Sequence, residues 1–175
     1  MFATLYGKLY HHYSSTLTPT VCHFLEDLDS DKIFAFDSST ISLFVDIFKG
    51  AGRNTLNGKK KGGLKVHTKM PLFGFVPDLV HLTEAACNDK SFLGQLAVEK
   101  GNIYIFDKGY VNYTVWKEWT NQGVFYVTRL NENADYEVLV GQPNHISEYA
   151  DGGIVSDQRI LLKDGLEARL IVYKD

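Results

Sequence analysis

Two aspartates in this chain stand at the same place in the same local pattern. Ile33-Phe34-Ala35-Phe36 runs into Asp37, and Ile103-Tyr104-Ile105-Phe106 runs into Asp107. A short unbroken apolar run is the pattern of a strand buried on both faces. Open α/β sheets place their sites outside the carboxyl ends of strands, so the two carboxylates are expected to converge there. Converging carboxylates suit Mg²⁺, which prefers a few carboxylates plus water and phosphate oxygens to a closed protein cage. A metal pair held this way activates a water or hydroxyl and stabilises the leaving oxygen of a phosphodiester. Small or turn-forming residues follow each aspartate, Ser38-Ser39-Thr40 in one case and Lys108-Gly109 in the other. A simpler role fits the same residues, since Asp often caps a turn or helix.

A second feature bears on the same chemistry. No acidic residue lies between Asp46 and Asp78, yet Lys49, Arg53, Lys59, Lys60, Lys61, Lys65 and Lys69 all do. The whole chain has 18 Lys and Arg against 21 Asp and Glu, so this cationic stretch sits in an otherwise acidic protein. Such a segment is a natural grip for a polyanion. It is also what a solvated hairpin tip looks like, because Asn57-Gly58 and Gly62-Gly63 bracket the three consecutive lysines.

The elements that must hold these residues follow from periodicity. Residues 2–28 show helical apolar spacing interrupted near Pro19, which predicts two short helices. After the strand that ends at Asp37, Ile41 to Phe48 is expected to form a second strand, and Leu64 to Met70 a half-exposed third. Lys65 and His67 share one face of that third strand and can point at a polyanion or at the site. Phe73 to Leu82 predicts a strand broken by Pro77, and Asp89 to Lys100 a helix closed by Gly101. Asp89 is expected to cap that helix. Tyr113, Val115, Trp116 and Trp119 lie on a helix that Gly123 can end, and Val124 to Thr128 is a strand. Strand, helix and strand at this length form a crossover unit with a parallel pair. The two tryptophans are expected in the core and at its rim. Glu137 to Val140, Ile154 to Leu162 and Ala168 to Tyr173 predict a separate antiparallel unit.

Composition narrows the class. With 45% hydrophobic residues and a net charge of -3, disorder is excluded. No apolar run approaches the roughly 20 residues of a membrane helix, and Met1 to Tyr10 has no secretory pattern. Cys22 and Cys87 are too few to hold zinc alone and are expected to be reduced thiols of a cytoplasmic protein. His11-His12 is expected to be solvated.

Taken in order, Phe34-Ala35-Phe36-Asp37-Ser38-Ser39-Thr40, Gly63-Leu64-Lys65-Val66-His67, Asn88-Asp89, Phe106-Asp107-Lys108-Gly109-Tyr110 and Phe125-Tyr126-Val127-Thr128-Arg129-Leu130 resemble the core of DDE transposases of the insertion-sequence type-four family. The resemblance runs from about residue 32 to 140. It implies an α/β fold, a ribonuclease H-like mixed sheet flanked by helices, with a C-terminal antiparallel β insertion. It also implies cleavage and joining of double-stranded DNA at transposon ends and target, with Mg²⁺ or Mn²⁺ held by two Asp and one Glu. Asp37 resembles the first catalytic aspartate and Asp107 the second. Asn88 replaces the histidine of the family's His-Asp pair. The family's third carboxylate lies beyond the β insertion, in a helix carrying Tyr-Arg-Glu-Lys, and neither Glu148 nor Glu167 sits in such a motif.

The expected organisation is therefore a helical leader (1–30), a partial catalytic core (31–134) and a β-rich insertion (135–175), ending before the third carboxylate. The chain is expected to be a fragment, weak or inactive alone, of a bacterial nucleoid-associated enzyme that works as a homodimer when complete. Phosphate contacts are expected from Arg53, Lys59, Lys60, Lys61, Lys65, His67 and Arg129, although Arg129 serves a surface ion pair equally well. Two alternatives remain: a DNA-binding or interaction remnant without chemistry, and a stand-alone ribonuclease H-like nuclease.

Overall fold

The structure, a computed structural model, describes residues 2–13, 16, 29–42, 52–53, 61–74, 76–139 and 153–174. The chain divides into two compact units: Met1–Val111 with Trp119–Arg129, and Asn112–Glu118 with Leu130–Asp175. Its elements run α1 (Phe2–Tyr13), β1 (Ile33–Ser42), β2 (Gly52–Arg53), β3 (Lys61–Pro71), β4 (Leu79–Glu84), α2 (Asp89–Leu93), β5 (Ile103–Phe106), α3 (Tyr113–Asn121), β6 (Phe125–Thr128), β7 (Glu137–Val138), β8 (Gly153–Leu162) and β9 (Leu166–Lys174). The class is mixed α/β. A helix expected around Val21 to Leu28 lies outside the described residues.

The first unit is built on a mixed sheet. Its strands run β4, β3, β1, β5, β6, and the two residues of β2 pair with the start of β3. The β4–β3 and β3–β1 pairs are antiparallel, whereas β1–β5 and β5–β6 are parallel. The parallel β5–β6 pair flanks α3, as a crossover unit requires. Aromatic side chains stitch the parallel centre together: Phe34 stacks on Tyr104 with ring centroids 5.7 Å apart, and Phe36 on Phe106 at 4.8 Å. Such pairs add about 0.5–1.5 kcal/mol each beyond the area they bury. Trp119 of α3 meets Tyr104 and Phe106 at 5.4 and 6.1 Å.

Gly123 ends α3 with φ of 74°, a conformation that costs glycine no Cβ clash. Its N–H bonds the Thr120 carbonyl and the Val124 N–H bonds that of Trp119, the paired closure of a Schellman motif. Both tryptophans are buried, as the helical spacing predicts.

Several elements differ from expectation. β1 does not stop at Asp37, because its antiparallel ladder with β3 continues from Phe34–Pro71 to Ser42–Gly63. Ser38, Ser39 and Thr40 are therefore strand residues and not a turn. Ile41 and Ser42 close β1 and do not open a new strand, and residues 43–48 lie outside the described set. β4 begins only at Leu79, beyond Pro77, whose missing N–H cannot serve a ladder. The helix from Asp89 ends at Leu93, where Gly94 provides the cap, well before Gly101. Its N-cap is Asn88, whose side chain accepts from the Lys90 N–H, so Asp89 is released for another use.

In the second unit, β7, β8 and β9 form a three-stranded antiparallel sheet, matching the strand-and-turn pattern of the sequence. The β8–β9 hairpin turns at Lys163-Asp164-Gly165, with Asp164 at φ 62°. Among the described residues, Ile160, Leu162 and Leu166 are its buried apolar side chains, and Asp157 is buried beside them in sequence.

Candidate active site

Asp37 lies in β1, and Asp107 directly follows β5, the parallel neighbour of β1. The parallel ladder pairs Ile33 with Ile103, Phe34 with Tyr104 and Ala35 with Ile105. One residue further, Phe36 and Phe106 stack; one more reaches Asp37 and Asp107. Burial changes abruptly here. Phe36 and Phe106 are buried, and both aspartates are exposed. Ile33, on the same face of β1 as Asp37, is still buried, so the step marks where cover runs out along the strands.

The two carboxylates have different surroundings. Asp107 Oδ1 accepts from Arg129 Nε at 2.9 Å and from Arg129 Nη2 at 2.6 Å. That pairing, followed by a backbone hydrogen bond at Lys108, holds the Asp107 carboxyl below the usual carboxylate range. The second carboxylate oxygen of Asp107 lies outside this guanidinium pair. Thr68, the cross-strand partner of Asp37, donates its hydroxyl to the Asp37 backbone carbonyl at 3.4 Å, not to the carboxylate.

Behind β1 lies a polar cluster that contains two of the residues expected at DNA. Lys65 Nζ donates to the Cys87 carbonyl at 2.7 Å and to Asp89 Oδ1 at 3.1 Å. The same Asp89 oxygen accepts from the Ser38 hydroxyl at 2.9 Å. His67 is fully buried, with its ring stacked 4.1 Å from that of Phe92 and its Nε2 2.9 Å from the Thr83 hydroxyl. Its Nδ1 is 3.5 Å from the Tyr110 hydroxyl and 4.0 Å from Asp89. Burial pushes the His67 imidazole down; Asp89 opposes that shift, while Lys65 and His81 reinforce it. Tyr110 is pushed up to about 12, first by burial, with the charges of Asp89 and Asp37 adding and a Ser38 hydrogen bond opposing.

Lys65 and His67 therefore do not present a face to DNA, and that expectation is corrected. The β3 alternation has the opposite phase: Lys65 and His67 point into the unit beneath α2, and Leu64 and Val66 are only half-buried. A charged and a titratable side chain can be buried here because each finds partners there. Arg53 and Lys61 are register partners across β2 and β3. Lys59 and Lys60 lie outside the described residues. Arg129 joins Asp107, and His11 and His12 are exposed near one end of α1.

The donor set at the aspartates is chemically suited to Mg²⁺ or Mn²⁺, being carboxylate oxygens at an exposed strand end. Among the described residues no three His, Cys, Asp or Glu side chains converge as a metal cluster. The fit is thus one of donor type at these two side chains.

Residues 29–170 match the family described as "Transposase DDE domain". The chain belongs to the DDE transposase domain family. A curated relative from Sinorhizobium fredii, named "Putative transposase y4zB", is 29% identical over 126 residues, covering 72% of this chain and 35% of that protein. The chain thus spans about a third of that relative's length. No solved structure matches it. No helix among the described residues of this transposase domain is long and apolar enough to cross a membrane.

Sequence reasoning on the transposase domain missed Ser38, Asp89 and Tyr110 as members of one cluster. A signal was present: Lys65 and His67 stand two apart on a strand, and Asn88 beside Asp89 is itself a residue type able to take the helix cap.

Proposed function

We propose that this transposase domain supplies two carboxylates, Asp37 and Asp107, to a divalent-metal site that cleaves and joins DNA phosphodiesters at transposon ends. The observation that carries this reading is the parallel β1–β5 register, which leads two buried strands to neighbouring exposed aspartates. What Mg²⁺ or Mn²⁺ supplies when bound is activation of a water or 3′-hydroxyl and stabilisation of the leaving oxygen. The chain's own part is to hold two anionic oxygens side by side and to carry cations near the phosphate path. Arg53 and Lys61, with Lys59 and Lys60, would contact the DNA backbone, adding salt-dependent and sequence-independent affinity. Arg129 would steady Asp107 and meet a phosphate in exchange. The finer fold is read as ribonuclease H-like, supported by the mixed sheet with its antiparallel arm and parallel crossover. The setting is the cytoplasm of a bacterium, on the nucleoid, with the remaining carboxylate and a homodimeric partner belonging to the complete enzyme.

Calorimetric titration of Mg²⁺ or Mn²⁺ into the 175-residue chain tests the site. Saturable binding that weakens at least about tenfold in Asp37→Asn and in Asp107→Asn is expected. An unchanged affinity in either variant removes that residue from the site.

A second reading is favoured by the Arg129–Asp107 pair, which neutralises one carboxylate without any metal. On that reading the domain binds DNA and does no chemistry. Gel shifts over salt and EDTA separate the two: binding that responds to salt and ignores EDTA, together with silent calorimetry, supports the second. Mg²⁺-dependent nicking of plasmid by the chain alone would instead indicate a self-sufficient nuclease.

A further inference from the structure

We propose that Ser38 is a positioning residue for Asp37, acting through Asp89, which Lys65 clamps; the inference rests on the two-aspartate reading above. The parallel ladder between β1 and β5 has its last pair at Ala35–Ile105, two residues short of the aspartates. Beyond that point, the relative placement of Asp37 and Asp107 depends on contacts from other elements. Ser38 supplies one of them. Strand alternation turns its side chain to the face opposite Asp37, where it lies across from His67 in the β1–β3 register. There the Ser38 hydroxyl donates to Asp89 Oδ1 at 2.9 Å.

Asp89 is a firm anchor because it is itself held. Lys65 reaches the same oxygen at 3.1 Å from β3 while also donating to the Cys87 carbonyl, and its side chain is only 11% exposed. The clamp therefore joins β1, β3 and the start of α2 at one carboxylate oxygen. A second contact comes from the other aspartate. Tyr110, three residues past Asp107, packs its buried ring edge-on against Phe36 at 4.9 Å, and its hydroxyl lies 3.5 Å from His67 Nδ1. Asp37 is thus flanked by Phe36, which Tyr110 braces, and by Ser38, which Asp89 holds. Partners bonded directly to a metal ligand typically alter its affinity about 10–100-fold when removed; Ser38 acts on Asp37 through the backbone, so the low end of that range is expected.

A serine that merely satisfies Asp89 would affect stability alone, so the test reads metal affinity. Mn²⁺ binding to the 175-residue chain is measured by electron paramagnetic resonance, well below each variant's unfolding temperature, for wild type, Ser38→Ala, Ser38→Thr and Asp37→Asn. The expected result is about tenfold weaker binding in Ser38→Ala, with most of the affinity restored in Ser38→Thr, which keeps the hydroxyl. If Asp37→Asn weakens binding while Ser38→Ala leaves it intact, or if Ser38→Thr fails to rescue, the positioning role is overturned and the two-aspartate site survives. If Asp37→Asn leaves binding unchanged, or wild type shows no saturable binding, the two-aspartate reading falls and takes this inference with it. Should Ser38→Ala not fold, Ser38→Cys replaces it, being similar in size with a much weaker donor, and is judged by the same outcomes.

Discussion

Replacing Lys65 by methionine keeps most of the apolar stem and removes the ammonium. Two hydrogen bonds go with it, one to the Cys87 carbonyl at 2.7 Å and one to Asp89 at 3.1 Å. Breaking a buried ion pair from one side costs about 3–5 kcal/mol, mostly because the remaining charge is stranded. Here the Lys65 side chain is 11% exposed and that of Asp89 25%, so water can reach the stranded carboxylate in part. The lower end applies, about 3 kcal/mol. With a urea m-value of about 2 kcal/mol/M, the midpoint should fall by roughly 1.5 M. The assay is urea unfolding followed by far-UV circular dichroism and by fluorescence, with coincident transitions as the condition for using one free energy. Repeating the substitution in an Asp89→Asn background, where no carboxylate is stranded, should reduce its cost to about 1 kcal/mol, leaving a coupling of about 2 kcal/mol. A cost below about 0.5 kcal/mol in the wild-type background would mean that the pair is hydrated like any surface ion pair. An equal cost in both backgrounds would assign the energy to the packed stem instead of the charge. Either result refutes the argument.

Three other outcomes are expected. His67 titrates below the ordinary imidazole value of 6.5 in the folded chain, mainly through burial; the unfolded state then takes up more protons, so stability is complete above that value and declines as pH falls through it. Unfolding temperatures measured from pH 7.5 down to 5 should show this decline, and a His67→Gln variant should show a flatter profile. Trp119, 3% exposed against Tyr104 and Phe106, should cost about 3–5 kcal/mol when cut to alanine, measured by the same urea titration. Arg129→Ala should raise Mn²⁺ affinity by no more than about fivefold, the scale of an exposed ion pair, and weaker binding would show that Arg129 organises Asp107 more than it competes for it.

How far the sequence reveals this arrangement depends on which interactions are local. The two apolar runs ending in aspartate were legible because a strand buried on both faces has no alternation to disguise it. The β8–β9 hairpin of the second sheet was legible for a similar reason, since it closes over the short turn Lys163-Asp164-Gly165. Lys65 and His67 misled because period two says which residues share a face, not which face is inward. That choice was settled by Asp89 and Phe92, more than twenty residues away in sequence, which offer the lysine a carboxylate and the histidine a ring. The length of β1 was equally invisible. Ser38-Ser39-Thr40 has turn-like composition, and only the β3 ladder makes it a strand. For α2, Gly94 outweighed an apolar spacing that continues to Leu96, which is buried without being helical.

The position of β1 between unlike neighbours has a consequence for how the molecule comes into being. Its antiparallel partner β3 is nearer in sequence and can pair earlier, whereas its parallel partner β5 arrives after β4 and α2 have been laid down. Pairings between distant segments carry a larger loop-closure entropy and form late. Asp37 and Asp107 each lie two residues beyond the last pair of that late pairing. Substitutions along the β1–β3 pairing should therefore slow folding, and substitutions in β5 should mainly hasten unfolding. A nascent or partly opened chain would keep the β1–β3 pairing while Phe36 and Phe106 are still apart, so the aromatic stack beside Asp37 and Asp107 exists only once β5 has docked.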